Sequence, residues 1–194
     1  MLSPASYHET NSVEDSIRSF LMAQVRRFVA TTRGIRGVRR IALIGSLATA
    51  KAAPKDADLL ITVDDEVDLI PLAVAGRQLK GRAQSRNSGA DIFLSDTKGA
   101  YLGRICHYRD CRPGVRTRCR ARHCGRRPHL CDDLDVLRLP VELVEAPTLE
   151  LWPVVVRRAP IPGDVEELLS DGVRLWRIIG EPLGPTDGHT YPTD

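Results

Sequence analysis

Two short apolar runs, Ile41-Ala42-Leu43-Ile44 and Ala57 to Val63, lie close together and are bracketed by stretches of helical period. Runs this short, one closed by glycine and one opened by aspartate, read as buried strands. Before them, Val13, Ile17, Phe20, Leu21, Val25, Phe28 and Val29 form an apolar stripe at helical spacing. Ser12, with Asp15 three residues on, makes a capping box for this first helix, which is expected to end near Thr32. Asp68 can cap a second helix that carries Pro71 in its first turn and runs to about Ala83. The loop Ser85 to Gly89 leads to a third strand, Ala90 to Leu94. The order helix, strand, strand, helix, strand predicts an α/β (α+β) fold, a mixed sheet flanked by helices.

The bulk properties exclude some classes. At 194 residues and 42% hydrophobic content, the chain can bury one sizeable core with an appendage. No run approaches the ~20 apolar residues of a membrane helix, so no membrane partner is expected. Met1 to Ser12 is polar and contains Glu9, unlike a secretion signal, and a cytoplasmic location is the expectation. The net charge of +3 is unevenly placed. Between Arg104 and Arg127 there are nine arginines and one acid, Asp110, a local +8 that leaves −5 for the rest of the chain. Local basic charge points to an anionic partner at one place.

The densest chemistry lies between Gly45 and Asp58. A strand ends in Gly45-Ser46, a short loop follows, and the next strand opens with Asp56-Ala57-Asp58. Side chains two apart on a strand point the same way, so Asp56 and Asp58 present two carboxylates to one point. A glycine turn beside them can offer backbone N–H groups to phosphate. Oxygen donors of this kind suit a divalent cation such as Mg²⁺.

Gly-Ser followed by Asp-Ala-Asp-Leu-Leu, with Asp91 on a later strand in Gly89-Ala90-Asp91-Ile92, resembles the polymerase-β-type nucleotidyltransferase superfamily, in the manner of its small single-domain members. The resemblance covers about residues 12–95. It implies Mg²⁺-dependent transfer of a nucleoside monophosphate from a nucleoside triphosphate, ATP among them, to a hydroxyl on a protein, RNA or small molecule. On the same resemblance Asp56, Asp58 and Asp91 are the catalytic, magnesium-binding carboxylates. Asp91 stands near the attacking hydroxyl, where it can take the proton. Gly45 and Ser46 contact the triphosphate, and Lys55, with Lys51, lies in the loop that reaches it. Two metals clamping the attacking and leaving oxygens explain why the carboxylates cluster. The chain departs from the small members at Thr49 and Ala50, where an Arg and a Gly often stand. The alternative is a non-catalytic or antitoxin-like protein of the same fold that binds nucleic acid or protein. Glu142, in Val141-Glu142-Leu143-Val144, ranks second as the third acid.

All five cysteines fall between Cys106 and Cys131. Cys106 and Cys111, then Cys119 and Cys124, are two identically spaced pairs, and zinc commonly takes ligands as such close pairs. A structural zinc on Cys106, Cys111, Cys119 and Cys124 is the expectation, with Cys131, His107, His123 or His129 as substitutes. The interleaved arginines can bind nucleic-acid phosphate.

Gly99 to Cys131 otherwise lacks a period. Val141 to Val144 and Leu149 to Arg157 read as strands, and Asp164 opens a last helix with Glu167 completing its capping box. The expected organisation is a tail over 1–11, a nucleotidyltransferase core over 12–98, and a Cys/Arg-rich zinc segment over 99–135. C-terminal strands and a helix follow over 136–181, then a tail over 182–194.

Overall fold

In the computed structural model, residues 16–51, 53–109, 127–132 and 134–169 are described. They form a mixed α/β fold around one seven-stranded sheet. The elements in chain order are α1 (Ile17–Thr32), β1 (Val38–Ile44), β2 (Asp56–Val63), α2 (Leu69–Gln84), β3 (Gly89–Ser95), β4 (Tyr101–Ile105), β5 (Leu130–Cys131), α3 (Val141–Glu145), β6 (Leu149–Trp152) and β7 (Val156–Arg157). Residues 163–169 are helical as well. The strand order is β5-β4-β3-β2-β1-β6-β7. β2 and β3 are parallel, with α2 as their crossover, and every other pair is antiparallel.

The α1 cap is Ser16, whose side chain accepts from the Ser19 N–H at 3.1 Å. The expected Ser12 and Asp15 capping box lies outside the described residues. Asp68 caps α2 as expected, its Oδ1 accepting from the Ile70 N–H at 2.9 Å.

The register of β2 on β3 sorts side chains to two faces. Ala57 with Ala90, Leu59 with Ile92 and Ile61 with Leu94 are paired and fully or nearly fully buried in the main core beneath α1 and α2. Each large aliphatic side chain buried there contributes ~1.5–3 kcal/mol. The intervening pairs turn to the other face: Asp58 with Asp91, Leu60 with Phe93, and Thr62 with Ser95. Leu60 and Phe93 join Ala42, Ile44 and Val144 in a second, smaller core, with Tyr101, Leu137, Leu139 and Leu143 packed against it. Thr62 and Ser95 share a hydrogen bond at 3.0 Å.

Three expectations are corrected. Val141 to Val144 is not a strand but most of helix α3. Pro140 stands at its N-cap, and Val144 is buried on the second core. Its β-branched composition favours a strand, but packing against Leu60 and Phe93 overrides propensity. Leu149 to Arg157 is not one strand but the antiparallel pair β6 and β7, reversing at Pro153, which has no N–H to continue a ladder. The stretch from Gly99 to Cys131 is not wholly irregular. Its first and last residues form β4 and β5, which together extend one edge of the sheet beyond β3, with Arg104 opposite Cys131 and Ile105 opposite Leu130. β4 is short and carries Gly103 and a bulge, and β5 has two residues, too little to show a period.

Candidate functional site

Asp56 and Asp58 open β2, Asp91 lies near the start of β3, and Gly45 follows the end of β1. These three strand ends meet at one end of the sheet, on the face that α1 and α2 do not cover. Asp58 and Asp91 are directly in register across the parallel pair, and Ile44 is the antiparallel partner of Asp58. The structure therefore brings together Gly45 and the three carboxylates named from sequence.

Glycine makes that approach possible at two points. Gly45 has φ 72°, a conformation side chains rarely adopt, and a Cβ on it would stand 2.6 Å from Asp58 Oδ2. A Cβ on Gly89 would stand 2.2 Å from Asp56 Oδ1. Both carboxylates rest over backbone that only glycine leaves open.

The carboxylates differ in their surroundings. Burial, reinforced by the charges of Asp56 and Asp91 and opposed by Arg104, pushes the Asp58 carboxyl up to about 6. Burial also acts to raise Asp91, but the His107 hydrogen bond and the charges of Lys80, His107 and Arg104 outweigh it and hold the carboxyl below its usual range. His107 Nε2 donates to Asp91 Oδ1 at 2.9 Å, Lys80 Nζ stands 3.7 Å from the same oxygen, and an Arg104 guanidinium nitrogen stands 3.6 Å from Oδ2.

Asp58 links function to stability with a definite sign. Its folded-state value lies above the unfolded one, so its protonation stabilises the fold below about 4, and this stabilisation is lost as pH rises through about 6. Asp58→Asn should therefore be more stable than the wild type at pH 7, by on the order of 1–2 kcal/mol after discounting for solvent screening. That is an unfolding midpoint roughly 2–8 °C higher. Thermal melts at pH 7 and pH 4 check this, and the advantage should vanish at pH 4.

The fit to a divalent cation divides. The donor set is all hard oxygen, and two neighbouring carboxylates raise Asp58, a cost that a cation relieves. In the described residues, however, the oxygens are turned to different neighbours: Asp56 over Gly89, Asp58 over Gly45 and Asp91 toward His107. Among those residues no group of three or more His, Cys, Asp or Glu side chains is arranged to hold a metal ion.

The phosphate-side residues lie on the loop from β1 to β2. Ser46 opens a 3-10 turn, Ser46–Ala48, whose first N–H groups have no preceding carbonyl within the turn. Lys51 and Lys55 are exposed. Thr49 N–H donates to Ser46 O at 3.2 Å, and Thr49 Oγ1 donates to the same carbonyl at 2.9 Å.

This loop is held by a residue that sequence reasoning missed. Arg18, in the first turn of α1, is buried. One guanidinium nitrogen donates to Leu47 O at 2.9 Å and Thr49 O at 3.1 Å, the other to Lys51 O, and Nε pairs with Asp164 Oδ2 at 2.9 Å. The signal was present: Arg18, Leu21, Val25 and Phe28 share one helical face, and a cation on an apolar stripe must find buried partners. The links from Lys80, Arg104 and His107 to Asp91 had no sequence signal, because they join α2, β4 and the residues after β4.

Glu142, the second-ranked third acid, is exposed in the first turn of α3 rather than on a strand beside Asp58. Of the zinc set, Cys111, Cys119 and Cys124 lie outside the described residues, as does His123. Cys106 is buried, and its N–H donates to His129 O at 2.8 Å. Cys131 is half-buried on β5, opposite Arg104. His107 is turned to Asp91.

A separate cleft of about 420 Å³ opens at the other end of the sheet, lined by Arg39, Arg40, Thr62, Asp96, Lys98 and Glu145 among others. Its arginines are engaged: Arg39 with Asp64, and Arg40 with Thr62, Glu150 and the Val144 and Glu145 carbonyls. Among the described residues no helix is long and apolar enough to cross a membrane. Compared with known proteins, the chain matches no family model, no curated protein and no solved structure.

Proposed function

We propose that this chain is a nucleotidyltransferase of the polymerase-β type, moving a nucleoside monophosphate from a nucleoside triphosphate to a hydroxyl acceptor. The observation that carries the reading is the in-register pair Asp58 and Asp91 on adjacent parallel strands, with Asp56 on the same face and Gly45 against the Asp58 carboxylate. In this reading Asp56, Asp58 and Asp91 would hold Mg²⁺, which would supply positive charge against the phosphate oxygens and leaving group. The residues themselves have distinct duties. The 3-10 turn at Ser46 presents backbone N–H groups to the triphosphate, and Arg18 keeps that turn in shape. Asp91, held ionised by its cations, serves better as a charged ligand than as a base, since a depressed carboxyl holds a proton poorly. A structural zinc on the cysteine pairs rests on spacing alone.

The non-catalytic, antitoxin-like alternative is favoured by one observation, the dispersal of the carboxylate oxygens and the engagement of Asp91 by His107. One experiment separates the two readings. The protein is incubated with Mg²⁺ and each α-labelled nucleoside triphosphate, with and without RNA and cell extract. Label transferred to an acceptor supports the enzyme, and no label with any of the four supports the alternative.

A further inference from the structure

We infer that Asp164, in the helix over residues 163–169, is a positioning residue for the loop after β1, acting through Arg18, so that the docking of this helix governs the turn at Ser46. The inference rests on the transferase reading only for its consequence, since that reading makes the turn the triphosphate side. The Arg18 guanidinium is planar and holds its donors at fixed angles. Its Nε pairs with Asp164 Oδ2 at 2.9 Å, and its terminal nitrogens collect the carbonyls of Leu47, Thr49 and Lys51. Fixing the Nε edge therefore fixes where the three carbonyls can meet. Arg18 is buried, and among the described residues Asp164 is the one acid it pairs with. A buried cation facing three neutral carbonyls is costly without that charge.

The helix that carries Asp164 has its own anchors. Val165 is fully buried and Leu169 nearly so in the main core, and Arg157 on β7 pairs with Glu166. Asp164 is thus held toward Arg18 by the packing of its helix on that core. The loop responds in a definite direction. A trans peptide holds its C=O and N–H antiparallel, so a carbonyl drawn to Arg18 sends the next N–H the other way. Drawing in Thr49 O turns the Ala50 N–H away from α1, on a residue that is exposed. Drawing in Leu47 O does the same for the Ala48 N–H, which donates to Gly45 O at 3.2 Å within the turn. Gly45 lies against the Asp58 carboxylate. The contact with Asp164 therefore acts on the carboxylate end of the sheet without touching it.

The test uses the full chain and reads the loop directly, by amide hydrogen exchange at Ala48 and Thr49, whose N–H groups donate within the turn. Asp164→Ala should speed exchange there at least ~tenfold, and by more than at Leu59 and Ile61, core amides of β2 that report global opening. Asp164→Asn keeps an acceptor for Nε without the charge; it should fall between, and it carries the test if the alanine variant does not fold. Arg157→Gln, which takes an ion pair from the same helix, should leave Ala48 and Thr49 within ~twofold of the wild type. In an Arg18→Met background Asp164→Ala should add less than ~twofold, because the path runs through the guanidinium. With Mg²⁺ and the nucleoside triphosphate that labels, Asp164→Ala should raise KM at least ~fivefold and leave kcat within ~threefold. Loop exchange unaltered in Asp164→Ala, or accelerated as much when Arg18 is already Met, overturns the inference. Faster loop exchange with an unchanged KM overturns its consequence for the nucleotide. Faster loop exchange together with no label transfer by the wild type would overturn the transferase reading and leave the coupling standing.

Discussion

Replacing Asp56 and Asp58 together by Asn is expected to lower Mg²⁺-dependent label transfer by at least ~10³-fold while the fold survives. A thousandfold loss corresponds to about 4 kcal/mol of transition-state stabilisation. Losing the metal's hold on phosphate charge removes several kcal/mol, which is enough. The amide keeps the size of the carboxylate, so the close approaches to Gly45 and Gly89 persist. Removing the Asp58 charge also relieves the burial and repulsion that raise its carboxyl to about 6. The double variant should therefore melt at or above the wild-type temperature. Label transfer is measured by single-turnover assay and stability by thermal melt. Activity within tenfold of wild type would remove Asp56 and Asp58 from the chemistry, and a large fall in melting temperature would make them structural.

Arg18→Met is expected to destabilise the protein by about 3 kcal/mol, or roughly 6–12 °C in melting temperature. Methionine keeps much of the buried aliphatic volume, so the loss isolates the guanidinium. That group satisfies the carbonyls of Leu47, Thr49 and Lys51 and pairs with Asp164. A buried polar group left without a partner costs ~1–3 kcal/mol, and more than one is at stake here. Arg18→Lys should fall between, since one ammonium cannot span the same acceptors. The consequence extends to function, because the carbonyls that Arg18 gathers belong to the loop that opens at Ser46. A melting temperature within 2 °C of wild type in Arg18→Met would show that water replaces the guanidinium without cost.

Much of this architecture was legible as a linear pattern. α2 starts where Asp68 can cap it, and β2 and β3 begin within a residue of the expected Ala57 and Ala90. Elements that bury one regular face write their period into the chain, which is why these survived translation into structure. α3 did not survive, because five residues hold too little period to outweigh their β-branched composition and only packing on Leu60 and Phe93 decides their form. β4 and β5 escaped notice because Gly103 and a bulge interrupt one and the other is two residues long.

The candidate site divides in the same way. The Asp56 and Asp58 spacing and the glycine before Ser46 are local facts, since alternation on one strand places both carboxylates together and a turn with positive φ calls for glycine. That Asp91 comes level with Asp58 depends on the parallel register of β2 and β3, which a crossover helix sets and the chain does not spell out. That Asp91 then sits among Lys80, Arg104 and His107, and that Arg18 grips the loop after Ser46, depends on contacts between residues up to 33 positions apart. Local chemistry named the carboxylates. Long-range packing chose their neighbours, because the charge and burial that set how each carboxylate behaves come from elements distant in the chain.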